Sequence, residues 1–465
     1  MKFSLRYISV LSSFLFAGGF IMLQSCKKTP TTLTEDNINE WYSGGKQTAF
    51  VTGSSAFGQM FKGLTELKSK MHDFGDASFN ATFNSDPTQR NHGLGPIFNN
   101  VSCGSCHIGD GRGKSPDIGE PLSSLLLRIS VPGQDINGGP LAASGYGGQL
   151  QQRGIFGTVP ETNVSVNYTE NTYQFPDGES YSLRQPVYTL SSSYTVMPAG
   201  YLISARMATP VFGLGLLEAI PESNILSKAD ENDADEDGVS GKPNYCWDVL
   251  AGVKKIGRFG WKAAQPTVMQ QSAGAYNQDM GVTNLIFPVE SSFGQPQYDN
   301  RNDEKELGDS TLYAVAYYIQ SLCAPGRRNA DDANVKAGKK LFMSTGCNKC
   351  HVSMQTTGAN MAMPELSNQT IFPYTDLLLH DMGTGLADNR PDYNATGVEW
   401  RTSPLWGIGL TTVVNGHNNF LHDGRARNFV EAIMWHGGEA TNAVNNFKTL
   451  SKTNRDAVVA FLNSL

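Results

Sequence analysis

The sequence predicts a mainly α-helical chain of two modules, the first interrupted by a β-rich insertion at about 122–207. Three observations lead there. A C-x-x-C-H run occurs twice, at Cys103-Cys106-His107 and at Cys347-Cys350-His351. Amphipathic stretches precede or close each half: "STLYAVAYYIQSL" (310–322), "DANVKAGKKLFMSTG" (332–346) and "NRDAVVAFLNSL" (454–465). Between about 122 and 207 the texture changes to short runs rich in β-branched and aromatic residues, bounded by Gly, Pro and Asn.

From the N-terminus, Lys2 and Arg6 precede an apolar stretch from Ile8 to Leu23 and then Leu23-Gln24-Ser25-Cys26. A basic start, an apolar run and small residues before a cysteine read as an export signal over 1–25. The ending resembles a bacterial lipobox, which would make Cys26 the lipidated first residue. The stretch 26–50 is then expected as a tether. These readings place the protein in the envelope of a Gram-negative bacterium, lipid-anchored and facing the periplasm or cell surface. Membrane contact is expected only through the anchor.

The chain of 465 residues is too long for one ordinary core. With 39% hydrophobic and 17% charged residues, 49 Gly and 22 Pro, it suits a loop-rich globular protein. A net charge of −7 without a basic cluster argues against nucleic acid.

The cysteines decide the chemistry. A redox dithiol needs no histidine after the second Cys and belongs to a strand-to-helix turn that is not visible here. A zinc site would need the two Cys pairs to converge and would leave both histidines incidental. Covalent haem attachment uses all three residues: two thioethers hold the porphyrin and the adjacent His reaches the iron. Two such runs in an exported chain predict two c-type haems, with His107 and His351 as proximal ligands. Cys246 and Cys323 remain, either as a disulfide or as two buried thiols.

The stretch 332–346 then reads as the first helix of a cytochrome c-like module. The linker "APGRR" sets the boundary between a first module over 51–325 and a second over 326–465. The strands of the insertion are "SSLLLRISVPG", "NVSVNYTENTYQF", "ESYSLRQPVYTL" and "GYLISARMA".

"DADEDGVSGKPN" (233–244) fits the front half of a calcium loop. Asp233, Asp235 and Asp237 would offer oxygens at alternate positions. Asn244 stands at the twelfth position in place of a bidentate Glu. An acidic solvated loop is the plainer alternative.

"GLGPIFNNVSCGSCHIGDGRG", "GRFGWKAAQPTVMQQSAGAYNQDMGVTN", "YTDLLLHDMGTGLADNR" and "FLHDGRARNFVEAIMWHGGEA" together resemble the di-haem oxidoreductase family, sometimes labelled thiol oxidoreductases. More remotely the layout is similar to bacterial di-haem cytochrome c peroxidases. The resemblance implies a peroxidase-like enzyme that takes electrons from a donor protein or small cytochrome. The second haem would pass them to a substrate, peroxide, at the first. It implies Trp261 as a relay between the haems. Asp279, where the peroxidases have Glu, is implied as acid–base group over the open haem. The interval from Trp261 to Asp279 is two residues shorter than in the peroxidases. His436 falls where those enzymes have a Met ligand to the second haem, with His422 and His380 as competitors. The alternative function is a pure electron carrier with both irons six-coordinate.

Overall fold

A computed structural model describes residues 40–300 and 305–465. The signal segment, Cys26 and the first part of the tether lie outside the described residues. In chain order, the elements that position the site begin with helix α1 (Glu66–Phe79) and the one-turn helix α2 (Cys103–Cys106). Strands β1 (Leu125–Gln134), β2 (Asn163–Gln174), β3 (Ser180–Ser191) and β4 (Leu202–Met207) follow. Next come helices α3 (Val268–Met280), α4 (Asp309–Gln320) and α5 (Ala333–Ser344). The chain ends with strands β5 (Leu379–Asp381) and β6 (Glu399–Arg401) and helices α6 (Phe429–Trp435) and α7 (Lys452–Ser464).

Each half is built on one close helix pair. On α1, a Cβ at Gly75 would sit 2.2 Å from Ala314 O of α4, so only glycine lets these backbones meet. The second half repeats the device: a Cβ at Gly338 of α5 would sit 1.8 Å from Ala457 O of α7. Asp332 caps α5 by accepting from Asn334 N and Val335 N, and Ser451 caps α7 by accepting from Asn454 N. Phe79, Tyr276 and Tyr318 lie in the first core, and Phe342, Tyr374, Phe447 and Phe461 in the second.

The stretch 122–207 folds as strands. β1 pairs antiparallel with β4 from Leu125↔Met207 to Ser130↔Leu202. Alternation buries Leu125, Leu127 and Ile129, which share a third core with Trp261 and Trp400. β2 and β3 form a long hairpin, from Asn163↔Ser191 to Gln174↔Ser180. Its tip reaches the C-terminal helix: Phe175 packs into the second core beneath the Arg455 guanidinium, 3.9 Å from the ring centroid. Arg455 also bonds Asp177 and Glu179, each at 2.7 Å.

Two expectations are corrected. The described residues are 28% helix and 19% strand in many small sheets, not mainly α. Its longest described helix has 14 residues, and the Gly- and Pro-bearing stretches between helices run as turns and two- or three-residue bridges. The second correction concerns 40–50, expected as part of a tether. Glu40, Ser43 and Gln47 are buried there, and Thr48–Ala49 pairs in parallel with Ala324–Pro325. Glu40 is drawn inward because it pairs with buried Arg327 and with Lys339.

Cys246 and Cys323 are both buried thiols, without a disulfide. Among the described residues no helix is long and apolar enough to cross a membrane.

Candidate functional site

Two cavities lie on either side of Trp261, which lines both. The first, about 230 Å³, is lined by Cys103, Cys106 and His107. Ser102 caps the one-turn helix, its hydroxyl accepting from Ser105 N at 3.1 Å, which presents both thiols on the cavity wall. His107 Nδ1 donates to Thr209 O at 2.6 Å. That bond fixes the tautomer and leaves Nε2 unprotonated to face a metal. Burial holds His107 below its usual pKa, so the ring stays neutral, as a ligand must be.

The second cavity, about 530 Å³, repeats the arrangement with Cys347, Cys350 and His351. His351 Nδ1 donates to Tyr374 O at 3.0 Å, and burial pushes its pKa down to about 4. An aromatic ring stands near each histidine: Phe79 is 6.1 Å from His107 and Phe342 is 6.3 Å from His351, between centroids.

The thiols themselves argue against dithiol chemistry. Burial, with the Asp279 charge nearby, pushes Cys103 and Cys106 up to about 12. A catalytic dithiol needs the opposite, a depressed pKa that yields thiolate. Paired thiols and an adjacent neutral imidazole with a free Nε2 on one cavity wall fit a haem with a histidine-bound iron.

Among the other histidines, His436 also lines the second cavity. Its Nδ1 donates to Ala432 O at 2.6 Å, one helical turn back on α6, which again frees Nε2. His380 lines the same cavity, but both nitrogens are engaged, with Asp376 and Glu439, each at 2.8 Å. Despite burial, those carboxylates hold His380 well above its usual pKa. His422 lines the cavity flat against Trp400. His72, His92 and His417 line neither cavity.

Trp261 lines both cavities. Its indole N–H donates to Met207 O at the end of β4, at 2.8 Å, and its own carbonyl accepts from Arg401 N at 2.9 Å. Asp279, near the end of α3, lines the first cavity only. Gln149 Nε2 donates to its carboxylate at 2.7 Å. Burial raises its pKa, against the opposing pull of the Arg128 guanidinium and the Gln149 bond.

In the acidic loop, Asp233 and Asp235 gather with Asp230, their ligand atoms all within 4.8 Å of one another. Asp237 is not part of that group; its carboxylate pairs with Lys349 at 3.0 Å. Asn244 turns inward, donating to Lys262 O and Asp392 O, so the twelfth position offers nothing to the loop.

Sequence reasoning missed the two carbonyls that orient the histidines, Thr209 O and Tyr374 O, since backbone acceptors leave no side-chain signal. It also missed Arg112 and Arg401, which line both cavities. For Arg112 the one available sign was its place five residues after His107.

The sequence pattern of the family described as "Di-haem oxidoreductase, putative peroxidase" matches residues 38–465. The cytochrome c551 peroxidase of Pseudomonas aeruginosa is 25% identical over 206 residues, 43% of this chain and 52% of that protein. The chain thus spans about half the length of this relative. Two solved structures are similar, each at 14% identity. Hydrazine synthase of Kuenenia stuttgartiensis, pressurised with 20 bar xenon, has a TM-score of 0.37, covering 99% of this chain and 100% of that one. A MauG-like protein associated with microbial copper homeostasis has a TM-score of 0.27, covering 55% and 89%.

Proposed function

The chain belongs to the di-haem oxidoreductase family, and from that premise we propose that it is a peroxidase-like enzyme carrying two covalent c-type haems. Cys103 and Cys106 hold the first haem and Cys347 and Cys350 the second, with His107 and His351 as proximal ligands. His436 would help hold the second haem through its free Nε2, and that haem would supply the entry point for electrons from a small donor protein. The first cavity would hold the haem at which peroxide is reduced. The observation that carries this reading is an asymmetry: Trp261 lines both cavities, whereas Asp279 lines only the first.

Bound haem would supply the iron at which the peroxide bond is reduced. The protein supplies the rest. Asp279, its pKa raised by burial, would serve as the group that delivers a proton in the first cavity, and Gln149 fixes the carboxyl's direction. Trp261 offers an aromatic step between the two cavities, fixed in place by its bond to Met207 O.

The two-module division at 325/326 is part of the proposal, as are export, lipidation at Cys26 and attachment to the cell envelope. Calcium in the acidic loop is proposed at the carboxylates of Asp233 and Asp235, joined by Asp230.

The test is an optical and EPR spectrum of the mature protein before and after stoichiometric hydrogen peroxide. One high-spin and one low-spin haem, with the high-spin signal converted by peroxide, is the expected result. Two low-spin haems indifferent to peroxide in every oxidation state would leave a pure electron carrier.

A further inference from the structure

Five residues line both cavities: Arg112, Trp261, Arg401, Ser403 and Ile408. The two arginines are almost fully buried, at 7% and 8% exposure. Neither forms an ion pair among the described residues. Arg112 Nη1 donates to Leu421 O at 3.0 Å, and the guanidinium lies 5.3 Å from the Trp261 ring centroid. Arg401 donates only to carbonyls, Gly260 O at 3.0 Å and Thr402 O at 3.1 Å. Desolvation pushes each guanidinium down to about 10, and only for Arg401 does a carboxylate, Asp376, offset it. Asp376 is itself committed to His380.

A buried cation without a counter-charge is costly, and folding tolerates it where an anion completes the site. Leu421, whose carbonyl accepts from Arg112, has φ 71, a conformation that residues other than glycine rarely adopt. By contrast, Arg206, which lines the first cavity only, is already matched by Asp388 and Asp392. Arg258, buried and without an ion pair among the described residues, lines the first cavity alone, whereas Arg112 and Arg401 line both.

We propose that Arg112 and Arg401 are positioning residues that bind the carboxylates of both haems across this wall and thereby set the two reduction potentials together. A haem carries two carboxylates, and a guanidinium matches a carboxylate with two parallel N–H donors. A cation at that point also disfavours the ferric state of either haem, so its removal lowers both potentials. The proposal rests on the di-haem reading above.

The experiment is a redox titration of the purified holoprotein and of R112Q, R401Q, R112K and R258Q, after haem stoichiometry has been measured. The two waves are assigned with His107→Ala and His351→Ala. Arg258 serves as the control because it lines the first cavity only. R112Q and R401Q are each expected to shift both haems negative, by about tenfold in the reduction equilibrium or about 59 mV for one electron. R112K should stay close to wild type, and R258Q should move the first haem alone.

Two haems per chain with shifts confined to one haem, or absent, would overturn the proposal and leave the di-haem reading standing. A wild-type chain that binds no covalent haem would instead defeat that reading. Should R112Q fail to load haem, R401Q decides: a joint negative shift supports the clamp, and a single or absent shift overturns it.

Discussion

The imidazole of His422 lies face to face with the indole of Trp400, ring centroids 3.9 Å apart and planes 13° apart. Two cations flank the same indole, Lys262 Nζ at 4.6 Å and Arg206 at 5.4 Å from its centroid. Burial pushes His422 down to about 4, so it is neutral at pH 7. Its Nε2 lies 3.6 Å from the Asp423 carboxylate, a contact it would give up to bind an iron through that nitrogen. His436 faces no such conflict, since its bond to Ala432 O already frees Nε2 toward the cavity.

Hence His436→Ala should convert the second haem from low to high spin in EPR, whereas His422→Phe, which preserves a stacking ring, should leave that signal in place. If His422→Phe alone produced the high-spin signal, the ligand assignment would have to be exchanged.

Asp279 gives a prediction about rate and pH. A carboxyl with a raised pKa keeps its proton at higher pH than usual and gives it up as pH rises. Peroxide turnover should therefore fall on the alkaline side as Asp279 ionises. Asp279→Asn keeps the shape but cannot deliver a proton, so kcat should drop about 10²-fold or more. Haem content and both spectra should be unchanged. A variant that retained the wild-type alkaline limb would assign the proton to another group.

The parts of this protein that were legible in the sequence are those whose chemistry demands neighbouring residues. Two thiols and an imidazole must be adjacent to hold one haem, so Cys103 to His107 and Cys347 to His351 announce themselves. The helical periodicity was equally clear where helices form, at 309–320, 333–344 and 452–464. Extending it to a mainly α fold failed because the intervening glycines and prolines make turns and short bridges. The acidic loop showed a limit of a different kind. Spacing suggested Asp237 as a ligand, but Lys349, distant in sequence, occupies that carboxylate. Arg112 and Arg401 were hidden for the same reason: their shared wall exists only after the two halves meet.

The close helix pair of the second half can be tested by one methyl group. Alanine is favoured over glycine inside a helix by about 1 kcal/mol, so Gly338→Ala would stabilise an isolated α5. In the folded protein the new Cβ overlaps Ala457 O, at 1.8 Å, and α7 must move away. A net loss of about 2 kcal/mol or more is expected from overpacking, seen as a lower urea midpoint. Ala457→Gly should not rescue it, because the obstacle is a backbone oxygen. An unchanged midpoint would mean that the helices have room to part.

Glu161 sets the pH dependence of stability around the insertion. Its side chain is fully buried, accepting from Gln151 N at 2.5 Å and Gln295 Nε2 at 2.9 Å. Burial pushes it from the ordinary 4.5 up to about 8. Between those values the unfolded chain has released its proton and the folded chain has kept it. Stability must therefore fall as pH rises through that window, and level off above it. Glu161→Gln retains an oxygen acceptor and removes the titration. The variant should be more stable than wild type by roughly 2–4 kcal/mol at pH 8, with the gap closing toward pH 4.5. Urea unfolding at pH 5 and pH 8 decides the point: an equal difference at both values would show that Glu161 is ionised in the folded protein throughout.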